Sequence, residues 1–175
     1  VTRLVPLPRG VVVGDALLGG RPASRIAPPP GGGMLLWLHG GAYCLGSRRT
    51  HLPLVATLAM RAGVGAAVPD YRLAPEHPFP AAPDDVRSAW NALIAEGWRP
   101  ERIVIGGDSA GGGLAFGLLA ELLEQGVVPA GAIGFSPWLD LTLSGESHRR
   151  MARLDALLPA GRLAVIAHHR IPTFH

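Results

Sequence analysis

One serine in this chain stands where a hydroxyl can become a nucleophile. Gly107-Asp108-Ser109-Ala110-Gly111 has the form G-x-S-x-G. Ile103-Val104-Ile105 before it reads as a strand, and residues 110–125 after it read as a helix, so Ser109 falls on a strand-to-helix turn. A sharp turn of that kind strains the serine backbone and exposes its hydroxyl. Gly107 and Gly111 are needed where side chains would strike neighbouring backbone. The helix start aims N–H groups at any anion beside Ser109. The chemistry would be attack of the hydroxyl on a carbonyl carbon, which also requires a histidine base and an acid to orient it.

The elements that must position this turn alternate along the chain. Residues 11–18 are apolar and β-branched, and Gly19-Gly20 turns the chain. Residues 28–33 form a loop, and residues 34–38 are a buried-strand candidate ending at His39. Residues 52–62 read as a helix closed by Gly63, and 65–69 as a short strand. Residues 83–96 place Val86, Trp90, Leu93 and Ile94 at helical spacing. Residues 102–106 and 130–135 are further strands, and Gly126 stops the helix after Ser109. Strand and helix in alternation predict an α/β fold, with a mainly parallel sheet and helices on both faces. Sites in such sheets gather beyond the carboxyl ends of the strands, where Ser109 and His39 both lie.

Composition excludes several classes. A chain 48% hydrophobic and 17% charged can build a core and is not disordered. All sixteen basic residues are Arg and the net charge is +3, but they are spread out, with pairs only at Arg48-Arg49 and Arg149-Arg150 and no aromatic module around them. No nucleic-acid partner is expected. No stretch spans a bilayer without a charge or a Gly/Pro break, so no membrane partner is expected either. A single cysteine, Cys44, forms no internal disulfide. The first ten residues lack a continuous apolar core, and the expected location is cytoplasmic. No cofactor or metal site is expected: His168-His169 has no matching ligand cluster and reads as a polar helix end.

His39-Gly40-Gly41-Ala42 resembles the HGGG-type loop of lipases and esterases. Asp70-Tyr71-Arg72-Leu73-Ala74-Pro75-Glu76 with His77-Pro78-Phe79-Pro80-Ala81-Ala82, and Ser136-Pro137-Trp138-Leu139-Asp140-Leu141-Thr142, resemble segments of the same group. Asp155-Ala156-Leu157-Leu158 is similar to its approach to the cap region. Four motifs in order, over residues 11–162, make the chain resemble a serine esterase of the α/β-hydrolase fold related to hormone-sensitive lipase. The resemblance implies Ser109 as nucleophile and the N–H groups of Gly41, Ala42 and Ala110 as the oxyanion hole. His39, Gly40, Gly107, Asp108 and Gly111 act as motif support, and His39 is not the base. One oxyanion donor is typically worth about 3 kcal/mol of barrier. Ala42 replaces the usual third Gly; its N–H survives, but its methyl crowds the loop. Arg72 and Glu76 are expected to pair and brace their loop, and Asp140 is expected to be structural.

The family's acid motif (Asp-Pro-Leu-x-Asp) and late His-Gly-Phe segment are absent, as is most of its N-terminal helical cap. Asp155 and His168 have the right order for acid and base, yet no strand separates them to carry each to the sheet edge. The tail 171–175 resembles nothing in the family. The expectation is a single partial domain over 1–175, truncated before the acid and His, with an open apolar sheet edge. Two functions follow. The first is carboxylic ester hydrolysis through an acyl-Ser109 intermediate on a small ester of short to medium chain. The alternative is a non-catalytic small-molecule-binding or degenerate member, as plant gibberellin receptors of this fold are.

Overall fold

Strand β3 (Met34–Leu38) and strand β4 (Gly65–Pro69) are buried at every residue. Strands covered on both faces read as unbroken apolar runs, the mark of the middle of a parallel sheet. The computed structural model describes residues 6–146 and residue 150. The other strands are β1 (Val13–Leu18), β2 (Arg21–Ile26), β5 (Ile103–Asp108) and β6 (Gly131–Phe135). Among the described residues they form one six-stranded sheet in the order β1-β2-β4-β3-β5-β6. The four strands from β4 to β6 are parallel, while β2 runs antiparallel to both β1 and β4.

Helices cover both faces. Met34, Leu36 and Leu38 of β3 pack with helix α2 (Ala81–Ala95) and helix α3 (Ser109–Glu124), through Val86, Trp90, Leu93, Leu114 and Leu118. Leu35 and Trp37 point the other way, onto Val55, Ala56 and Ala59 of helix α1 (Arg48–Ala62). The period-2 alternation of a strand thus divides one five-residue run between two cores. β6 lies at the edge of the described sheet, with Ile133 42% and Phe135 40% exposed.

Two elements depart from the sequence reading. β2 was not expected, because Arg-Pro-Ala-Ser-Arg-Ile has poor strand propensity. It forms because Gly19 (φ 57°) and Gly20 (φ 79°) make a two-residue turn of the kind that folds a strand back on itself, pairing Leu18 with Arg21. Helix α1 starts at Arg48 rather than at residue 52. Ser47 accepts from Thr50 N–H at 3.3 Å while Thr50 Oγ1 accepts from Ser47 N–H at 3.0 Å, a capping box that holds an extra turn ahead of Pro53. Gly63 ends the helix in the left-handed conformation at φ 63°.

Truncation at the centre and at the rim should separate cleanly. Leu36→Ala removes a fully buried side chain that meets both α2 and α3 in one core, and is expected to lower stability by about 2–5 kcal/mol in urea unfolding. Val12→Ser, at a side chain 82% exposed, should change it by less than about 0.5 kcal/mol.

Candidate active site

β5 passes into α3 with no intervening loop, and Ser109 carries the whole change of direction at φ 51°. A non-glycine residue held there stores on the order of 1–3 kcal/mol of strain. The flanking glycines permit the turn. A side chain at Gly111 would collide with the carbonyl oxygens of Leu38 and His39, and one at Gly107 with the backbone of Gly111. The helix therefore presses directly on the carboxyl end of β3.

The loop after β3 is laid against the same turn. Gly41 (φ 130°), Ala42 (φ 53°) and Tyr43 (φ 60°) coil it tightly, and the Gly41 carbonyl accepts from Cys44 N–H at 3.0 Å and Leu45 N–H at 2.8 Å. Ala42 does more than crowd: its positive φ costs about 1–2 kcal/mol that glycine would avoid. Gly40 N–H donates to Asp108 Oδ1 at 3.1 Å, which ties the loop to the residue before Ser109. His39 is buried, stacked on Tyr71 with ring centroids 4.3 Å apart, and its Nδ1 lies 2.9 Å from the Gly40 carbonyl. Burial holds its pKa below the usual value, so it stays neutral. Tyr71 Oη donates to the His39 carbonyl at 2.5 Å. The Ser109 carbonyl accepts from Trp138 N–H at 2.8 Å, which brings the segment after β6 to the same place. Gly107, Asp108, Ser109, Ala110 and Gly111 thus share one turn, with His39 and Gly40 docked on it and Gly41 and Ala42 following in the loop.

Asp108 is the N-cap residue of α3, yet its side chain does not cap the helix. Its Oδ2 instead meets His51 Nε2 at 3.2 Å. Burial raises the Asp108 pKa, but His51 and the Gly40 N–H outweigh it and the net shift is downward; the same contact moves His51 upward. Sequence reading missed His51, because it began α1 one residue too late to include it. The Ser47-to-Thr50 box was the available signal. Arg72 corrects a second expectation. It pairs with Asp85 rather than Glu76, donating from Nη2 to Oδ1 at 2.8 Å and from its backbone N–H to Oδ2 at 2.8 Å. Buried Asp85 on α2 offers two acceptors on a rigid element, whereas Glu76 is exposed on the loop itself. Asp140 accepts from the backbone N–H groups of Thr142 at 2.9 Å and Ser144 at 2.8 Å, and organises its own turn. His148, Asp155, His168, His169 and His175 lie outside the described residues. Among the described residues no cluster of three metal-ligating side chains occurs, and no helix is long and apolar enough to cross a membrane.

A cavity of about 310 Å³ opens one turn along α3 from Ser109. Tyr43, Phe79, Val86, Gly113, Leu114 and Gly117 are among its walls, with Arg72 and Glu121 as charged groups. Burial pushes the Tyr43 hydroxyl up to about 12, so it stays protonated beside the cavity.

This arrangement, a strained serine between a parallel strand and a helix with a glycine loop docked on it, is that of the α/β hydrolases. The chain belongs to that family: the profile described as alpha/beta hydrolase fold matches residues 35–173. It is 39% identical over 161 residues to an acetyl-hydrolase of Streptomyces hygroscopicus, covering 90% of this chain and 54% of the relative. It is 44% identical over 126 residues to an esterase of Acinetobacter venetianus, covering 71% and 42%. Among solved structures, an esterase from the bacterial hormone-sensitive lipase family superposes with a TM-score of 0.88 at 38% identity, covering 98% of this chain and 59% of that one. The chain spans about half the length of the curated relatives it matches.

Two glycines of α3 test the close approach. Gly111→Ala forces a methyl into the carbonyls of Leu38 and His39 and should cost at least about 1–3 kcal/mol. Gly117→Ala meets nothing within 4 Å and should stabilise by about 0.5–1 kcal/mol through helix propensity. Thermal unfolding of the two single variants reads both signs.

Proposed function

We propose that this chain carries the nucleophile and oxyanion half of a carboxylic ester hydrolase acting on small esters of short to medium chain. One observation carries the reading: Ser109 at φ 51° between β5 and α3, with the His39 loop bonded to the adjacent Asp108. The Ser109 hydroxyl attacks the ester carbonyl carbon, its proton passes to a general base, and the alcohol leaves protonated. Water then releases the acid from the acyl-Ser109 ester. Gly41, Ala42 and Ala110 N–H groups meet the oxyanion, and they need no reorganisation because the loop and the helix start are already fixed. In this fold the acid and the histidine base follow the serine. Among the described residues no histidine does. The likeness to an acetyl-hydrolase supports a short acyl group. The cavity beside α3 suits the acyl chain, being apolar and of a size common for small-ligand sites. A single cysteine calls for no oxidising compartment, and a cytoplasmic location goes with this reading.

The test is saturable hydrolysis of p-nitrophenyl acetate by the 175-residue chain against its Ser109→Ala variant. Without a general base, oxyanion stabilisation and binding leave only about 10³–10⁴-fold over water in the serine protease template, so a small Ser109-dependent rate is expected. Equal rates from the two proteins would favour the binding-module alternative. Robust turnover lost in Ser109→Ala would mean that a base is supplied by His148, His168, His169 or His175, and single replacements there would find it.

The cavity makes its own prediction. Gly117→Phe should fill it, raising KM for the p-nitrophenyl hexanoate ester roughly tenfold, or about 1.4 kcal/mol, while leaving the acetate ester unchanged. Parallel loss with both esters would place the acyl chain elsewhere.

A further inference from the structure

An Asp at a helix N-cap ordinarily turns its carboxylate onto the N–H groups of the second and third helical residues. For α3 those residues are Ala110 and Gly111, and no side chain caps the helix. The Asp108 carboxylate is drawn off instead, Oδ1 to Gly40 N–H at 3.1 Å and Oδ2 to His51 Nε2 at 3.2 Å. The His51 ring is held from its far side. Thr50 Oγ1 directs its own hydrogen to the Ser47 carbonyl at 2.8 Å, so the lone pair 2.8 Å from His51 Nδ1 accepts. Both ring nitrogens therefore face acceptors, an arrangement satisfied in full only by the imidazolium.

We propose that His51 is a positioning residue for the oxyanion site, holding the Asp108 carboxylate on the Gly40 loop and off the α3 N-terminus, so that the Ala110 N–H stays available to an ester oxyanion. This rests on the reading of Ser109 as nucleophile and of the His39 loop as its oxyanion site. The groups facing His51 are Asp108 from the β5–α3 turn and the ring of His39, 5.6 Å away between centroids and neutral through burial; Ser47 and Thr50 lie on its own helix end. Arg48 beside it is turned to Asp70 and Asp15.

The pH dependence follows from the directions of the two shifts. His51 is raised above 6.5, so its contribution is complete below that value and is lost as pH rises through its folded pKa. Asp108 is lowered below 3.8, so its contribution is present above that value and is lost as pH falls through its folded pKa. The clamp is therefore complete between the ordinary values of the two groups and weakens on the alkaline side. A neutral His51 keeps only one of its two ring hydrogen bonds.

Amide hydrogen exchange in the intact chain, read by NMR at Gly40, Ala110 and Gly111 with Leu36 and Ile105 as references, tests this without turnover. In His51→Ala the carboxylate is free to cap α3. Gly40 protection should fall at least tenfold while Ala110 or Gly111 protection rises, with Leu36 and Ile105 unchanged. His51→Gln, which retains an N–H donor, should restore most of the Gly40 protection. In the wild type, protection at Gly40 and at Ala110 should move in the same opposite senses as pH rises through the His51 titration. Should His51→Ala lose the reference protection as well, the Gln variant and the wild-type pH series decide. Protection at Gly40 and Ala110 that ignores both His51 replacement and His51 titration would overturn the proposal. Absence of Ser109-dependent hydrolysis, measured alongside, would count against the esterase reading alone.

Discussion

Gly111 lets the first turn of α3 rest on the carbonyls of Leu38 and His39, and the geometry of the site descends from that contact. Strand β5 can end and α3 begin without a loop only if the helix backbone approaches the neighbouring strand this closely. Close approaches continue around the helix at Gly112 and Gly113. A Cβ at Gly112 would lie 2.7 Å from Pro137 Cβ, and one at Gly113 would lie 2.5 Å from the Trp138 carbonyl oxygen and 2.7 Å from the Tyr43 hydroxyl. Two segments far apart in sequence are thereby seated on one helix end: the loop from His39 through Tyr43, and residues 137–138. The strain at Ser109 persists because buried Ile103, Ile105, Leu114, Ala115 and Leu118 fix the strand and the helix on either side of it.

A second layer of charges holds the ends of the elements that surround this contact. Buried Asp85 receives both the side chain and the backbone N–H of Arg72, so the loop after β4 is fastened to α2. Arg48 reaches from the start of α1 to Asp70 at 3.0 Å and Ser24 at 3.0 Å, with Asp15 beyond, and fastens α1 to the end of β4 and to β1 and β2. What such pairs supply here is registry. Each closes onto the carboxyl side of the sheet, on the loops and helix ends that surround Ser109.

The fold was largely legible because its signals were local. The apolar runs of β3, β4 and β5 announced buried strands, and Gly63 and Gly126 marked helix ends where the chain takes a positive φ. The turn at Ser109 was legible because its chemistry demands particular residues at fixed offsets. β2 was not, since Ala23, Ser24 and Ile26 are buried by neighbours distant in sequence rather than by any strand-like pattern of their own. The partners of Arg72 and of His51 were illegible for the same reason. Asp85 is thirteen positions from Arg72 and Asp108 fifty-seven from His51, and only the packing of α2 and α1 on the sheet brings them together. Sequence spacing shows which groups exist; which acceptor a long side chain selects is decided by the rigid element that arrives beside it.

An oxyanion site places a conflicting demand on a helix N-terminus. The first-turn N–H groups are donors without intrahelical partners, and stability alone favours a side chain that satisfies them. Catalysis favours donors aimed at a charge that appears only in the transition state. A short residue with no acceptor would leave α3 open, but it would also leave the Gly40 loop with nothing to hold it. On the reading proposed above, Asp108 answers both demands through the direction of one carboxylate. It fastens the loop through Gly40 N–H, keeps its charge near the helix start where the dipole favours it, and leaves the helix uncapped because His51 and Gly40 together take both its oxygens. The carboxylate that could cap α3 is thus engaged at the joint between α3, α1 and the loop after β3.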